Sequence, residues 1–245
     1  MTCSADSSSS VVFIPARGGS KRIPRKNVAD LHGRPLIAWA IKAAIESGVF
    51  SQVVVSTDDE EIADVARSEG AEVPFSRPAE LSGDDVATAP VVEHALADFC
   101  ERTGIRPTVI GVVYPAAVFT TGIDLARSVR LLSELRVDMV MSGGRFSSPV
   151  QRSWRRTHGQ IVERVDPSTM LTRSQDLEDR YFDAGQFYVS TPEAWAAIAS
   201  GHAVRTAMYE MEPWRVWDID TPEDLEMARR LFSIDLAELG QAGTR

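Results

Sequence analysis

The sequence predicts an α/β fold with a mainly parallel central sheet, and three observations carry that prediction. Short apolar, β-branched runs alternate with longer segments of helical period. The earliest of these runs are apolar at successive positions, and helix start and stop residues fall between them. Strands buried on both faces read as unbroken apolar runs, which is the pattern of residues 11–14 and 53–56. Between them Pro35-Leu36-Ile37 opens a helix whose Leu36, Ile37, Ala40, Ile41, Ala44 and Ile45 share one stripe, and Gly48 suits its C-terminal cap. This is a βαβ unit, for which a right-handed crossover is the default. Thr57-Asp58-Asp59-Glu60-Glu61 then reads as a capping box before a helix at 62–68. Further strands are predicted at 108–113, 137–141 and 186–189. The last helix is predicted at 221–232, with Thr221 as cap and Pro222 at its first position.

From 145 to about 182 the regular alternation stops. Pro149, Pro167 and the basic cluster Arg152-Ser153-Trp154-Arg155-Arg156 interrupt it, so residues 145–182 are read as an inserted arm. With no internal repeat and no long linker, residues 11–245 are read as one domain. Residues 1–10, with Ser7-Ser8-Ser9-Ser10, read as a disordered tail that lacks the basic and apolar regions of a signal peptide. Cys3 and Cys100 cannot build a disulfide framework, and no apolar run reaches membrane-spanning length. A cytoplasmic protein without membrane partners is expected.

The chemistry concentrates where the first strand ends. Ile14-Pro15-Ala16-Arg17-Gly18-Gly19-Ser20-Lys21-Arg22 places two glycines and a hydroxyl among fixed cations, and Arg25 and Lys26 follow. Glycines let a backbone approach a ligand and turn its N–H groups toward an anion. On a chain of net charge −9 a local positive pocket focuses small anions and offers no broad surface to nucleic acid. The loop is neither a G-x-x-x-x-G-K-[ST] nor a G-x-G-x-x-G motif. A tight turn bearing solvated cations is the plain alternative; the clustering of five cations beside two glycines favours a nucleoside triphosphate site.

Trp217-Asp218-Ile219-Asp220 supplies two carboxylates at i and i+2, which share a side on extended backbone and suit one hard cation such as Mg²⁺. Capping of the following helix by Asp220 fits the spacing equally well. Asp58 and Asp59 read better as caps than as ligands. His32, His94, His158 and His202 have no zinc-ligand spacing, and no G-x-S-x-G elbow or nucleophilic cysteine is present. Trp154, Trp195, Trp214 and Trp217 read as packing residues.

Taken in order, these motifs resemble the sialic-acid-type cytidylyltransferases. The resemblance rests on Ile14 through Asn27, on Gly33-Arg34-Pro35-Leu36-Ile37, on Val55-Ser56-Thr57-Asp58-Asp59, on Arg77-Pro78-Ala79-Glu80-Leu81 and on Asp218-Ile219-Asp220. Thr172-Arg173-Ser174-Gln175-Asp176-Leu177-Glu178 and Asp183-Ala184-Gly185-Gln186-Phe187-Tyr188 are most similar to the branch that activates pseudaminic acid; N-acetylneuraminic and legionaminic acids are the alternatives. A Rossmann-like nucleotidyltransferase fold, CTP, Mg²⁺ and a homodimer joined by an arm from each subunit are implied. Ala16, Arg17, Gly18, Gly19, Ser20 and Lys21 would then form the triphosphate loop, with Lys26 near the reacting phosphate and Asn27 near the ribose. Arg77 and Thr88 would read the cytidine, and Asp218 and Asp220 would hold the metal. Tyr114, Arg173, Gln175, Asp183 and Gln186 would face the sugar acid. By the same resemblance Arg17, Lys21 and Lys26 act in catalysis.

One segment departs from the family. Its Tyr-x-Thr-x-Pro-like stretch is here Tyr114-Pro115-Ala116-Ala117-Val118-Phe119, without the threonine or the second proline. Altered sugar choice, reduced activity and neutral drift of a supporting turn are all compatible with that change. Two rival readings follow: a 3-deoxy-manno-octulosonic acid cytidylyltransferase, whose loop after the first strand differs, and a non-catalytic nucleotide-binding homologue.

Overall fold

A computed structural model describes residues 10–233 of the chain, so most of the predicted N-terminal tail lies outside the described residues. After β1 (Ser10–Pro15), the short strands β2 (Asp30–Leu31) and β3 (Arg34–Pro35) form a separate antiparallel pair, and β1 is joined in the main sheet by β4 (Gln52–Ser56), β5 (Val109–Val113), β6 (Met139–Arg145), β9 (Tyr181–Ser190) and β10 (Thr206–Glu210). Their order is β10-β6-β9-β5-β1-β4, and β9 runs antiparallel to both of its neighbours. The other neighbouring pairs are parallel, as expected for βαβ crossovers.

The apolar runs are explained by the two cores they feed. Val12 and Ile14 of β1, with Val53 and Val55 of β4, face one core; Val11, Phe13 and Val54 face the other. The first core is closed by α1 (Leu36–Glu46), α2 (Glu60–Ser68) and α4 (Gly122–Leu135). The second is closed by α3 (Thr88–Thr103) and α5 (Pro192–Ala199). Burial at every position therefore makes these strands continuous rather than alternating.

Helix boundaries follow local chemistry. Gly48 takes φ 64° just beyond α1, as anticipated for its C-terminal end. Asp59 caps α2 by accepting the Ile62 N–H at 3.0 Å, while Asp58 does not cap. Full capping boxes open α4, through Thr121 and Asp124, and α6 (Pro222–Phe232), through Thr221 and Asp224. Asp224, not Asp220, thus serves the start of α6.

The inserted arm is an excursion between β6 and β9. Its rungs include an exposed hairpin of β7 (Trp154–His158) and β8 (Ile161–Arg164). Trp154 corrects the packing expectation: it is exposed, with the Arg164 guanidinium 4.8 Å from its ring centroid. Trp195 is buried, and Trp214 and Trp217 pack on a third apolar cluster.

A buried ion pair fastens this third region to α4. Arg215 donates to Asp124 at 3.1 Å and to the Phe119 carbonyl at 2.9 Å. Burial alone would raise the Asp124 carboxyl, but Arg215 and Thr121 overrule it and hold the group below the usual carboxylate range.

Candidate active site

A cavity of about 720 Å³ opens at the carboxyl ends of β1 and β5, where the chain turns to opposite sides of β1. Ligands of open α/β sheets bind at such switch points. Arg17, Ser20, Lys21, Lys26 and Asn27 reach it from the loop after β1. Arg77 and Thr88 also line it, with Tyr114 just after β5 and Gln186 on β9. Asp218 and Asp220 complete the lining.

The loop after β1 is held by backbone partners. Ala16 is fully buried and donates its N–H to the Ser56 carbonyl at 2.9 Å, extending the β1 to β4 pairing. Gly18 donates its N–H to Asp58 Oδ1 at 2.9 Å, and a Cβ there would lie 2.7 Å from Asp59 Oδ2. A side chain at that position would force Asp59 to shift. Asn27 is buried and clamps the loop through Nδ2 to the Arg17 carbonyl at 2.9 Å. Ala16, Gly18 and Gly19 do not line the cavity, so Gly18 and its neighbours shape the loop here from behind.

The paired aspartates gain their common orientation from Ile219. It is fully buried in the third cluster with Leu36, Phe119 and Leu225, and strand-like alternation then turns Asp218 and Asp220 the other way, into the cavity. Asp220 is bound by Arg22 at 2.8 Å and by Lys26 at 3.2 Å. Lys26 also donates to the Ile219 carbonyl at 2.7 Å. Asp218 has no ion pair or hydrogen bond among the described residues. Burial, reinforced by the Asp220 charge, pushes its carboxyl above the usual range. No set of three His, Cys, Asp or Glu side chains converges among the described residues. Two carboxylates, one under pressure from its like-charged neighbour, suit a hard cation that takes its other ligands from water and phosphate oxygens.

Opposite this pair, Tyr114 and Tyr188 meet edge to face with centroids 6.1 Å apart. Tyr114 shares a hydrogen bond with Thr88 at 2.6 Å, and Tyr188 donates to Asp183 Oδ2 at 2.5 Å. Burial, then the Asp183 contact, raises the Tyr188 phenol well above its ordinary value. A register shift in the β6 to β9 pairing sits beside them, and Ser142 Oγ accepts the displaced N–H groups of Gln186 and Phe187 at 3.2 and 3.0 Å. Asp183 does not itself line the cavity but reaches it through Tyr188. Arg77 is buried against Ser56 with Nε 3.1 Å from Ser56 Oγ; burial lowers its guanidinium to about 10, so it stays charged at neutral pH. Arg173 and Gln175 lie on the arm at the 3₁₀ turn Ser174–Asp176, and they do not line the cavity of their own chain. Arg173 pairs with Asp176 instead, at 2.7 Å.

The departing segment Tyr114 to Phe119 forms a buried turn, with the Ala117 N–H donated to the Tyr114 carbonyl at 3.0 Å. Pro115 and Ala116 present an apolar wall where the family-like threonine would offer a hydroxyl. Sequence reasoning missed Tyr188 and Asp84 as lining residues. Tyr188 stood inside a quoted motif, whereas Asp84 carried no local signal.

A switch-point cavity with clustered cations and paired carboxylates defines a nucleotidyltransferase architecture. Residues 11–153 match the family model described as cytidylyltransferase, and the chain belongs to that family. A pseudaminic acid cytidylyltransferase of Campylobacter jejuni is 36% identical over 91% of this chain and 96% of its own length. A CMP-N,N'-diacetyllegionaminic acid synthase of Legionella pneumophila is 30% identical over 92% of this chain and 97% of its own. In fold, a CMP:2-keto-3-deoxy-manno-octonic acid synthetase solved with CTP superposes with a TM-score of 0.68 at 15% identity, covering 91% of this chain and 98% of that one. The protein is therefore a nucleotidyltransferase enzyme, on the α/β fold the sequence predicted.

Proposed function

We propose that the enzyme activates pseudaminic acid with CTP, giving the CMP-sugar and pyrophosphate. The observation that carries this reading is the 36% identity, along nearly the whole chain, to a protein of that name. The cavity supports it: about 720 Å³ is room for a nucleotide and part of a sugar acid, walled by cations on one side and hydroxyls on the other. In the reaction, the anomeric oxygen of the acid forms a bond to the α-phosphorus of CTP as the bond to the pyrophosphate oxygen breaks. The hydroxyl gives up its proton to solvent water as the new bond forms.

Such a step needs positioning and neutralised charge more than covalent help. Arg17, Lys21 and Lys26 are assigned to the phosphates, with Ser20 donating its hydroxyl and Gly18 and Gly19 keeping the loop close. Asn27 is placed toward the ribose, and Arg77 and Thr88 toward the cytosine. Tyr114, Asp183 and Gln186 are assigned to the sugar acid. Asp218 and Asp220 would hold Mg²⁺, which supplies charge neutralisation for the phosphates when bound.

The arm supports a homodimer. Trp154, Ile161, Val162 and Val165 are exposed on it, and Leu171 is 93% exposed. Arg173 and Gln175 point to no residue of their own cavity, so their assignment is to the second subunit's sugar-acid pocket. Light scattering gives the mass that checks the dimer. A cytoplasmic location fits the two isolated cysteines and the need for CTP; no helix among the described residues is long and apolar enough to cross a membrane.

The deciding experiment measures pyrophosphate release from CTP with pseudaminic, legionaminic and N-acetylneuraminic acids in parallel. Fastest turnover with pseudaminic acid is expected. Preference for another acid corrects the substrate, and CTP binding without turnover of any acid defeats the enzymatic reading of this chain's site.

A further inference from the structure

Arg17 and Lys21 share one carboxylate partner. Asp84 takes Arg17 on one carboxylate oxygen and Lys21 on the other. It sits in the loop between the 3₁₀ turn Ala79–Leu81 and α3, and it lines the cavity with Gly83 and Val86. Two cations gathered by two oxygens of one anion is also how a phosphate would be held. Lys21 and Arg17 hold the Asp84 carboxyl below its usual range.

The pairing lies at the surface. The Asp84 side chain is about one-third exposed and that of Lys21 is largely exposed, so neither partner must leave a core to separate. The loop is bounded by the Ser82 Oγ donation to the Pro78 carbonyl at 3.1 Å on one side and by the start of α3 at Thr88 on the other. Among the described residues Asp84 is ion-paired with Arg17 and Lys21, both of the loop after β1. With a nucleotide in place its charge would repel the phosphates it had displaced itself for.

We propose that Asp84 is a displaceable internal counter-ion. It occupies Arg17 and Lys21 in the empty cavity, yields them to a polyphosphate, and reclaims them as pyrophosphate leaves. This rests on the reading of the cavity as the CTP site. A single carboxylate loses to a multiply charged phosphate at substrate concentration but competes with it continuously, which weakens binding and speeds discharge of the leaving group.

Titration calorimetry in magnesium-containing buffer tests this with CTP, inorganic pyrophosphate and cytidine, on wild type, Asp84→Asn and Asp84→Glu. Asp84→Asn should bind CTP and pyrophosphate about fivefold more tightly, the worth of two partly exposed ion pairs. Cytidine affinity should stay unchanged, and Asp84→Glu should remain near wild type. Inhibition of turnover by pyrophosphate should strengthen in Asp84→Asn by the same factor. Unchanged or weaker phosphate binding in Asp84→Asn overturns the proposal, as does an equal gain for cytidine. Loss of the fold in Asp84→Asn would make the residue structural and overturn it too. Wild type that binds neither CTP nor pyrophosphate removes the nucleotide reading itself, and the proposal with it. Normal CTP turnover by wild type with no change in Asp84→Asn refutes only the counter-ion.

Discussion

Replacing Asp124 by alanine takes one member from the ion pair that joins α4 to the segment before α6. The carboxylate receives Arg215, the Tyr209 hydroxyl at 2.8 Å and the Thr121 N–H at 2.8 Å. Side-chain exposures are 9% for Arg215 and 3% for Asp124, so alanine leaves a guanidinium buried beside only Glu212 and a carbonyl. Removing one partner of a buried pair costs about 3–5 kcal/mol, and losing the Asp124 half of the capping box adds up to about 1 kcal/mol. Glu212 recovers part of this, so about 3–4 kcal/mol is expected. At about 2–4 °C per kcal/mol for a domain of this size, the melting temperature should fall by roughly 10 °C. Thermal unfolding followed by circular dichroism reads the shift, and Asp124→Ala combined with Arg215→Met should recover part of it because no orphan charge remains. Acid gives the same test by another route. The folded carboxyl lies below its unfolded value, so the stabilisation is present above about pH 4 and is lost as pH falls through the depressed folded value. An Asp124→Ala protein melting within about 2 °C of wild type would refute the reasoning, since an uncompensated buried charge cannot be that cheap.

Further outcomes are expected. Gly122→Ala should destabilise by about 1–3 kcal/mol in a denaturant titration, because the new Cβ would lie 2.6 Å from the Ser47 backbone nitrogen at the end of α1. Asp218→Ala should cut pyrophosphate release by roughly a hundredfold or more with an unchanged melting temperature; near-normal turnover would remove Asp218 from the metal assignment. Lys21→Met should lower turnover by about tenfold or more, and a small effect would make its ammonium solvated surface only.

The parts of the fold legible in the sequence were those with a burial pattern of their own. β1 and β4 are apolar at successive positions because each face meets a different helical layer. β10 was missed, since Thr206-Ala207-Met208-Tyr209-Glu210 is an edge strand with no buried position. β7 and β8 were missed for a stronger reason: no residue of either is buried, so no apolar period marks them. The site divides along similar lines. The cations after β1 and the aspartates flanking Ile219 were visible because neighbouring residues place them together. Asp58 against Gly18 and Asp84 against Arg17 join residues 40 and 67 positions apart, which no local pattern records. Even odds between metal and cap at Asp220 arose because spacing cannot tell a carboxylate facing a cavity from one facing a helix end; Asp224 takes the helix.

The arm leaves the sheet after Arg145 and rejoins it at Tyr181, and those two residues are paired across neighbouring strands. The Phe146 N–H reaches the Arg180 carbonyl at 3.1 Å, so departure and return share one threshold. An excursion whose ends touch can be lengthened, shortened or exchanged while strand order stays intact. Evolution, or an engineer, can therefore trade this whole cassette and leave the strands that frame the cavity as they stand.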